Sequence, residues 1–247
     1  MTPQDASAAT PGTPPAPNAS LWEDFVDIFY TPSDVFRRRA TGSYMIPLVI
    51  VTLLVCALTF TNRSVLQPVY DAEIDKALAQ MKSNPAITAD ALAKARSFTE
   101  IFIQVTAVIG APIAILVIAL VVWIFSRIFD AKVTGHASMV ISAYSAVPFV
   151  IENLSWSVQG LLLDPSKLTS RMSLAIGPAR FVNAEGMSPL AAAAIAHVDV
   201  FSIWTAALLG IGIVTIANAP RSKAVVIGVA IWVLGLAPAA LSALRAG

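Results

Sequence analysis

The segment from residue 136 to 163 constrains the fold more than any other, because it is apolar enough to cross a bilayer and yet carries a row of polar side chains. A helix of about 20 residues crosses the hydrocarbon core. The polar residues are spaced so that they share one helical face: Ser138, Ser142, Ser145, Glu152, Ser155 and Gln159. Exposing that face to lipid would be costly, so we predict the central helix of a bundle.

Prolines predict kinks in two of the apolar segments. Pro148 has no N–H, so the carbonyl of Tyr144 lacks its usual helical donor. In lipid, such a carbonyl must be satisfied by a neighbouring helix or by water. We therefore expect Tyr144 to be a packing residue beside a kink. Pro112 predicts a second kink, which frees the carbonyl of Val108.

The composition places the chain among polytopic membrane proteins. Hydrophobic residues make up 57% and charged residues only 13% of the chain, against about 45–50% and about 25% in soluble domains. The net charge of +1 implies no attraction to nucleic acid. Cys56 is the only cysteine, so no internal disulfide can form. Residues 1–19 are rich in Pro, Ala, Thr and Ser, and we predict a disordered tail there.

We predict an all-α, polytopic membrane helical bundle of five transmembrane helices in residues 41–247. The predicted spans are about 44–60, 99–129, 138–163, 190–217 and 224–244. Residues 70–98 are charged and turn at Asn84-Pro85, which predicts an extracytoplasmic helical hairpin between the first two spans. Its second helix should be capped by Thr88 and continue directly into the second span.

Residues 20–40 predict a juxtamembrane amphipathic segment at the headgroup level. The expected order is a short helix, a turn at Thr31-Pro32 and a second short helix. Its predicted interfacial residues are aromatic or basic: Trp22, Phe25, Phe29, Arg37, Arg38 and Arg39. The alternative is an amphipathic helix docked on another protein.

The basic residues of the short connections set the expected orientation. Arg37, Arg38 and Arg39 precede the first span, and Arg221 and Lys223 occupy the fourth connection. Basic residues in short flanks favour the cytoplasmic side, so we expect a cytoplasmic N-terminus and an external C-terminus. The alanine-rich composition favours a bacterial inner membrane.

Acidic residues in the predicted spans suggest a polar or ion site in the outer half of the bundle. Its candidates come from three helices: Glu100, Gln104, Glu152, Ser155, Gln159, His197 and Asp199. Such carboxylates suit a cation, a proton path or a metal shared with His197, and the metal stays unknown. The alternative is structural: Glu100 solvates a helix entrance, Asp199 hydrogen-bonds within the bundle, and Glu152 is a buried carboxyl.

No motif of a phosphate-binding loop, a serine nucleophile, a cysteine zinc site or His-Glu-x-x-His is present in the sequence. We therefore expect no enzymatic activity and no cofactor. The first function hypothesis is a membrane organiser or adaptor that acts through protein or lipid contacts. The second is a small transporter or channel for protons, cations or a small solute.

Three short motifs resemble those of one membrane protein family. They are Asp-Ile-Phe-Tyr-Thr-Pro at 27–32 with Val35-Phe36, Ala-Tyr-Ser-Ala-Val-Pro-Phe at 143–149, and Asp-Val-Phe-Ser-Ile-Trp at 199–204 with Leu-Leu-Gly-Ile-Gly at 208–212. Together with the five predicted spans, they resemble the Yip (Ypt/Rab-interacting) domain family in its bacterial branch, over most of residues 20–245.

The resemblance implies a helical membrane bundle without known chemistry, whose eukaryotic relatives assist vesicle trafficking, some of them through prenylated Rab GTPases. This chain departs from them by a short N-terminal tail and an extra hairpin in its first connection. These departures argue against a Rab-type GTPase partner. The partners we expect are the lipid bilayer and other membrane proteins or further copies of this chain.

Overall fold

The computed structural model describes residues 20–182, 186–238, 240 and 241, and these residues form helices and no β-strand. The predicted disordered tail, residues 1–19, lies outside the described residues, as do residues 239 and 242–244 of the predicted fifth span. The all-helical fold class is confirmed for the described part of the chain.

Two short helices, α1 (Leu21–Tyr30) and α2 (Pro32–Arg39), precede the bundle. Ser20 starts α1 with a capping box, in which its hydroxyl accepts from the N–H of Glu23 and the Glu23 carboxylate accepts from the N–H of Ser20. Pro32 opens α2, where its missing N–H costs nothing. The predicted order of helix, proline turn and helix is therefore confirmed.

The other helices follow in chain order: α3 (Met45–Thr61), α4 (Gln67–Ala77), α5 (Ala79–Lys82), α6 (Ala89–Ile128), α7 (Gly135–Ser145), α8 (Val147–Leu162), α9 (Pro189–His197), α10 (Val200–Ala217) and α11 (Arg221–Leu234). Three short 3₁₀ helices lie between α8 and α9. Asn218 ends α10 in the left-handed conformation (φ 49°), which asparagine tolerates, and this allows a tight turn into α11.

Three helical stretches in the described part of the chain are long and apolar enough to cross a membrane: Val108–Ile128, Gly135–Leu162 and Val200–Ala217. Met45–Thr61 is apolar but has only 17 residues. In an 18-residue window of the Gly135–Leu162 stretch, which contains α7 and α8, 61% of the residues are buried, against 17% and 33% in windows of the other two stretches. This contrast confirms that the segment with the polar row is the central one.

The two predicted proline effects have different outcomes. Before Pro148 the helix breaks at Ala146, so α7 and α8 are separate helices. Pro112 instead lies inside the continuous 40-residue helix α6. The thiol of Cys56 on α3 donates to the carbonyl of Val108 at 3.6 Å, which gives that carbonyl a partner from a neighbouring helix.

Helix α6 also confirms that the charged segment after Asn84-Pro85 continues directly into an apolar one. Thr88 caps the helix by accepting from the N–H of Ala91. In its first turns, Arg96 forms ion pairs with Asp71 at 2.5 Å and Asp75 at 3.1 Å on α4. These pairs hold α4 against the beginning of α6.

Helices α1 and α2, which we call the docked pair, pack against α7 and α10. Ile28, Val35 and Phe36 are fully buried. The close approach depends on Gly212 of α10, because a Cβ there would lie 3.2 Å from the ring of Phe36 and 2.8 Å from Ile141. The segment predicted at the headgroup level thus forms part of the hydrophobic core.

Candidate functional site

The carboxylate of Asp199 accepts hydrogen bonds from two backbone N–H groups, one at the start of α10 and one in the preceding loop. One oxygen accepts from the N–H of Phe201 at 2.8 Å, and the other accepts from the N–H of Ile176 at 2.8 Å. Ser202 completes a capping box with Asp199. These contacts make Asp199 a helix cap that also ties the preceding loop to α10.

His197 and Glu100 have partners of their own. The Nε2 of His197 donates to the carbonyl of Trp232 at 2.7 Å, and the two rings lie 4.8 Å apart. Glu100 pairs with Arg96 one helical turn earlier at 3.1 Å. Gln104 lines a small pocket of about 100 Å³ together with Glu100. Neither His197 nor Glu100 contacts the Asp199 carboxylate.

On α8, the polar row serves local contacts. Ser155 donates to the carbonyl of Glu152 at 2.8 Å. Gln159 donates to the carbonyl of Leu174 at 2.9 Å and accepts from Arg180 at 2.6 Å, so it fastens the loop after α8. The Glu152 carboxylate accepts no hydrogen bond from any described residue, and it has the charges of Asp199 and Arg171 nearby.

The described residues contain no group of three or more His, Cys, Asp or Glu side chains placed to hold a metal ion. The contacts favour structural roles for Asp199, His197 and Gln159. An ion site around Glu152 stays a prediction, because its carboxylate has no hydrogen-bonding role in the described part of the chain.

The most concentrated polar chemistry lies instead within the docked pair. Asp24 is fully buried, and its two carboxylate oxygens accept from Arg38 at 2.6 Å and from Arg39 at 2.5 Å. Arg38 also donates to Asp27 at 2.6 Å. We call these four residues the Asp24 cluster. A buried carboxylate needs such charge-assisted partners, because an unpaired buried charge is strongly destabilising.

The Asp24 cluster also reaches the central helix. The hydroxyl of Tyr144 on α7 lies 3.4 Å from an oxygen of Asp24 and donates to it. Burial lowers the pKa of Arg38, but the hydrogen bonds that Arg38 donates to Asp27 and Asp24 and the charges of these two carboxylates outweigh it and raise that pKa overall. Arg38 therefore stays charged at any physiological pH.

Aromatic contacts complete the docking on the inner side of α1. The ring of Phe25 lies 6.3 Å from that of Tyr144, and Phe29 meets Trp204 of α10 edge to face at 4.7 Å. Phe25, Phe29 and Tyr144, predicted as interfacial or packing residues, thus form one contact between the docked pair and the bundle.

A second apolar row, which is exposed, runs along α1 beside the inner one. Trp22, Val26 and Tyr30 follow at four-residue intervals and are 68%, 58% and 81% exposed. We call this row the outer stripe. The cap at Ser20, the buried side chain of Ile28 and the ion pairs of Asp24 fix the orientation of α1. The outer stripe stays exposed.

Sequence reasoning missed the Asp24 cluster, although the sequence contains its signal. Two acids three residues apart, Asp24 and Asp27, lie just before a proline turn that returns the chain with Arg38 and Arg39. Two short helices joined by such a turn bring opposite charges together. We interpreted the arginines as interfacial residues that set the orientation and did not pair them with the acids.

The fold and these contacts define an integral membrane protein built as a helical bundle, with a pair of juxtamembrane helices locked onto its centre. The model of the Yip1 domain matches residues 26–242, and the chain therefore belongs to the Yip1 domain family. Proteins of this family are generally non-enzymatic membrane proteins. No curated protein and no solved structure gives a significant match.

Proposed function

We propose that this protein organises membranes as a non-enzymatic adaptor, and that the outer stripe of α1 contacts lipid at the bilayer surface. The observation that carries this proposal is the exposed row of Trp22, Val26 and Tyr30 on a helix whose other side is locked to the bundle. Trp and Tyr favour the membrane–water interface, where their rings meet apolar and polar surroundings together.

The rest of the topology belongs to the same proposal. The bundle crosses a bacterial inner membrane five times, with α3 and α11 as the two crossings beyond the three long apolar stretches. Arg221 and Ser33 of α2 line the same groove, so the basic start of α11 lies near the docked pair, which supports placing that end of the bundle in the cytoplasm. The charged hairpin then lies outside.

The proposed membrane contact depends on the rigidity of α1. A free amphipathic helix loses conformational freedom when it enters a membrane surface, and this weakens its binding. In this chain, α1 is already ordered by its capping box, the Asp24 cluster and the Phe25 and Phe29 contacts. The protein can therefore present the outer stripe at a fixed depth and angle, which spreads the headgroups of one leaflet.

A photocrosslinking experiment tests the lipid contact. A benzoylphenylalanine replaces Val26 in the full-length protein, which is then reconstituted in liposomes and irradiated. The masses of the crosslinked adducts are measured by mass spectrometry. We expect the mass of one phospholipid to be added. The matched control carries the same group at Asn84, which is exposed at the turn between α5 and α6 and lies outside the proposed spans.

The organising role has its own readout in the same proteoliposomes. Electron cryomicroscopy should show more strongly curved vesicles with the wild-type protein than with the Val26→Asn variant. Equal lipid crosslinking at positions 84 and 26 would refute the lipid contact, and unchanged vesicle shape in Val26→Asn would refute the organising role.

A further inference from the structure

A long apolar groove runs between α10 and α11, on a part of the protein that shares no residue with the outer stripe. Its volume is about 720 Å³. Small and β-branched side chains form most of its walls, among them Ile203, Ala207, Gly210, Val214, Val225 and Val229. The groove follows both helices through the apolar part of the bundle.

The dimensions of the groove favour a lipid chain. On α10 it extends from Ile203 to Thr215, which is about 18 Å of helix. A groove of this length with an almost entirely apolar lining suits an acyl chain that lies along the two helices.

One end of the groove carries an unmatched positive charge. Arg221 at the start of α11 lines the groove there, together with Thr215 near the end of α10. The guanidinium of Arg221 is exposed and makes no ion pair or hydrogen bond with any described residue.

Two neighbouring cations have acidic partners: Lys223 lies 3.5 Å from the carboxylate of Asp130, and Arg37 lies 2.7 Å from that of Asp34. Among the described residues that line the groove, Arg221 is the one that carries a charge.

We propose that this groove is a binding site for an anionic phospholipid. Arg221 binds the phosphate, with the hydroxyl of Thr215 near it, and an acyl chain lies along α10 and α11 as far as Trp232. An apolar channel with a cation at one end matches the two parts of such a lipid, whereas a zwitterionic lipid adds a second positive charge close to Arg221.

Native mass spectrometry of the full chain in detergent tests this site. The protein is titrated with phosphatidylglycerol and, separately, with phosphatidylcholine of the same acyl chains. We expect the anionic lipid to bind more tightly, and Arg221→Gln to weaken its binding roughly fivefold, because one cation near a lipid surface contributes about 1 kcal/mol. Binding of phosphatidylcholine should change little.

Two matched controls separate this site from general lipid adhesion. Arg127→Gln removes an exposed cation beside Trp123 that does not line the groove, and it should leave the lipid preference unchanged. Ala207→Phe fills the groove and should weaken binding of both lipids, whereas Ala114→Phe, at an exposed position of α6, should not.

The proposal fails if Arg221→Gln and Arg127→Gln reduce binding equally, or if Ala207→Phe leaves lipid binding intact. It also fails if Ala207→Phe abolishes a dimer without changing lipid binding, because the occupant would then be a second copy of this chain. The Val26 crosslinking result does not depend on any of these outcomes.

Discussion

Asp24 is the residue on which the docked pair most depends. Its carboxylate is fully buried, and both of its oxygens are used by arginines that remain partly exposed. Hydrophobic contacts alone would let α1 slide along the bundle, because they are not directional. The paired charges and the hydroxyl of Tyr144 fix one position, since they satisfy each other in only one geometry.

Asp24→Asn should therefore lower the free energy of unfolding by about 3 kcal/mol, because it leaves Arg38 and Arg39 without their shared buried anion. Tyr144→Phe serves as the control, and it removes only the long hydrogen bond, with a loss of about 1 kcal/mol or less. Thermal unfolding in detergent measures both variants. An equal loss in the two would mean that the charges of the Asp24 cluster add nothing to the docking.

Among the helices, α2 and α10 show how one small residue sets the docking distance. The Phe36 ring is fully buried beside Gly212, and a larger residue at position 212 leaves no room for it. Gly210 lies on the same helix, and a Cβ there would meet the carbonyl of Ala224 at 3.6 Å, an ordinary contact. The two glycines therefore offer a matched comparison.

Gly212→Ala should loosen the docked pair, because the new methyl group forces Phe36 and Ile141 to move at a cost of about 1–3 kcal/mol. Limited trypsin digestion of the protein in detergent measures this, since Arg37, Arg38 and Arg39 lie on α2. We expect faster cleavage there in Gly212→Ala and an unchanged rate in Gly210→Ala. Equal rates in both would show that the Gly212 contact does not hold α2.

For the whole molecule, the sequence predicted the helical bundle and its central segment well, because apolar length and a row of polar residues are local patterns. The N-cap of α6 was predictable for the same reason. The docking of α1 and α2 was not, since an amphipathic helix looks the same whether its apolar side meets lipid or protein. The structural alternative for Asp199, a hydrogen bond within the bundle, was predictable, but its partner Ile176 was not, because that residue lies 23 residues away in a loop.

The chain crosses the membrane either five times, as proposed, or only three times, through its three long apolar stretches. Labelling of introduced cysteines distinguishes these two topologies. In a Cys56→Ser background, single cysteines are placed at the exposed positions Ser33, Asn84, Ser166 and Ser222. With five crossings, an impermeant maleimide should label positions 84 and 166 on intact cells, and positions 33 and 222 only after permeabilisation.

If only the three long apolar stretches crossed the membrane, α3 would not separate position 33 from position 84, and the two would be labelled alike. Positions 84 and 166 would still fall on one side, because α6 and the α7–α8 stretch both cross between them. The comparison of positions 33 and 84 therefore tests α3 directly. Labelling of position 222 on intact cells would overturn both the proposed orientation and the placement of the Arg221 end of the lipid groove in the cytoplasm.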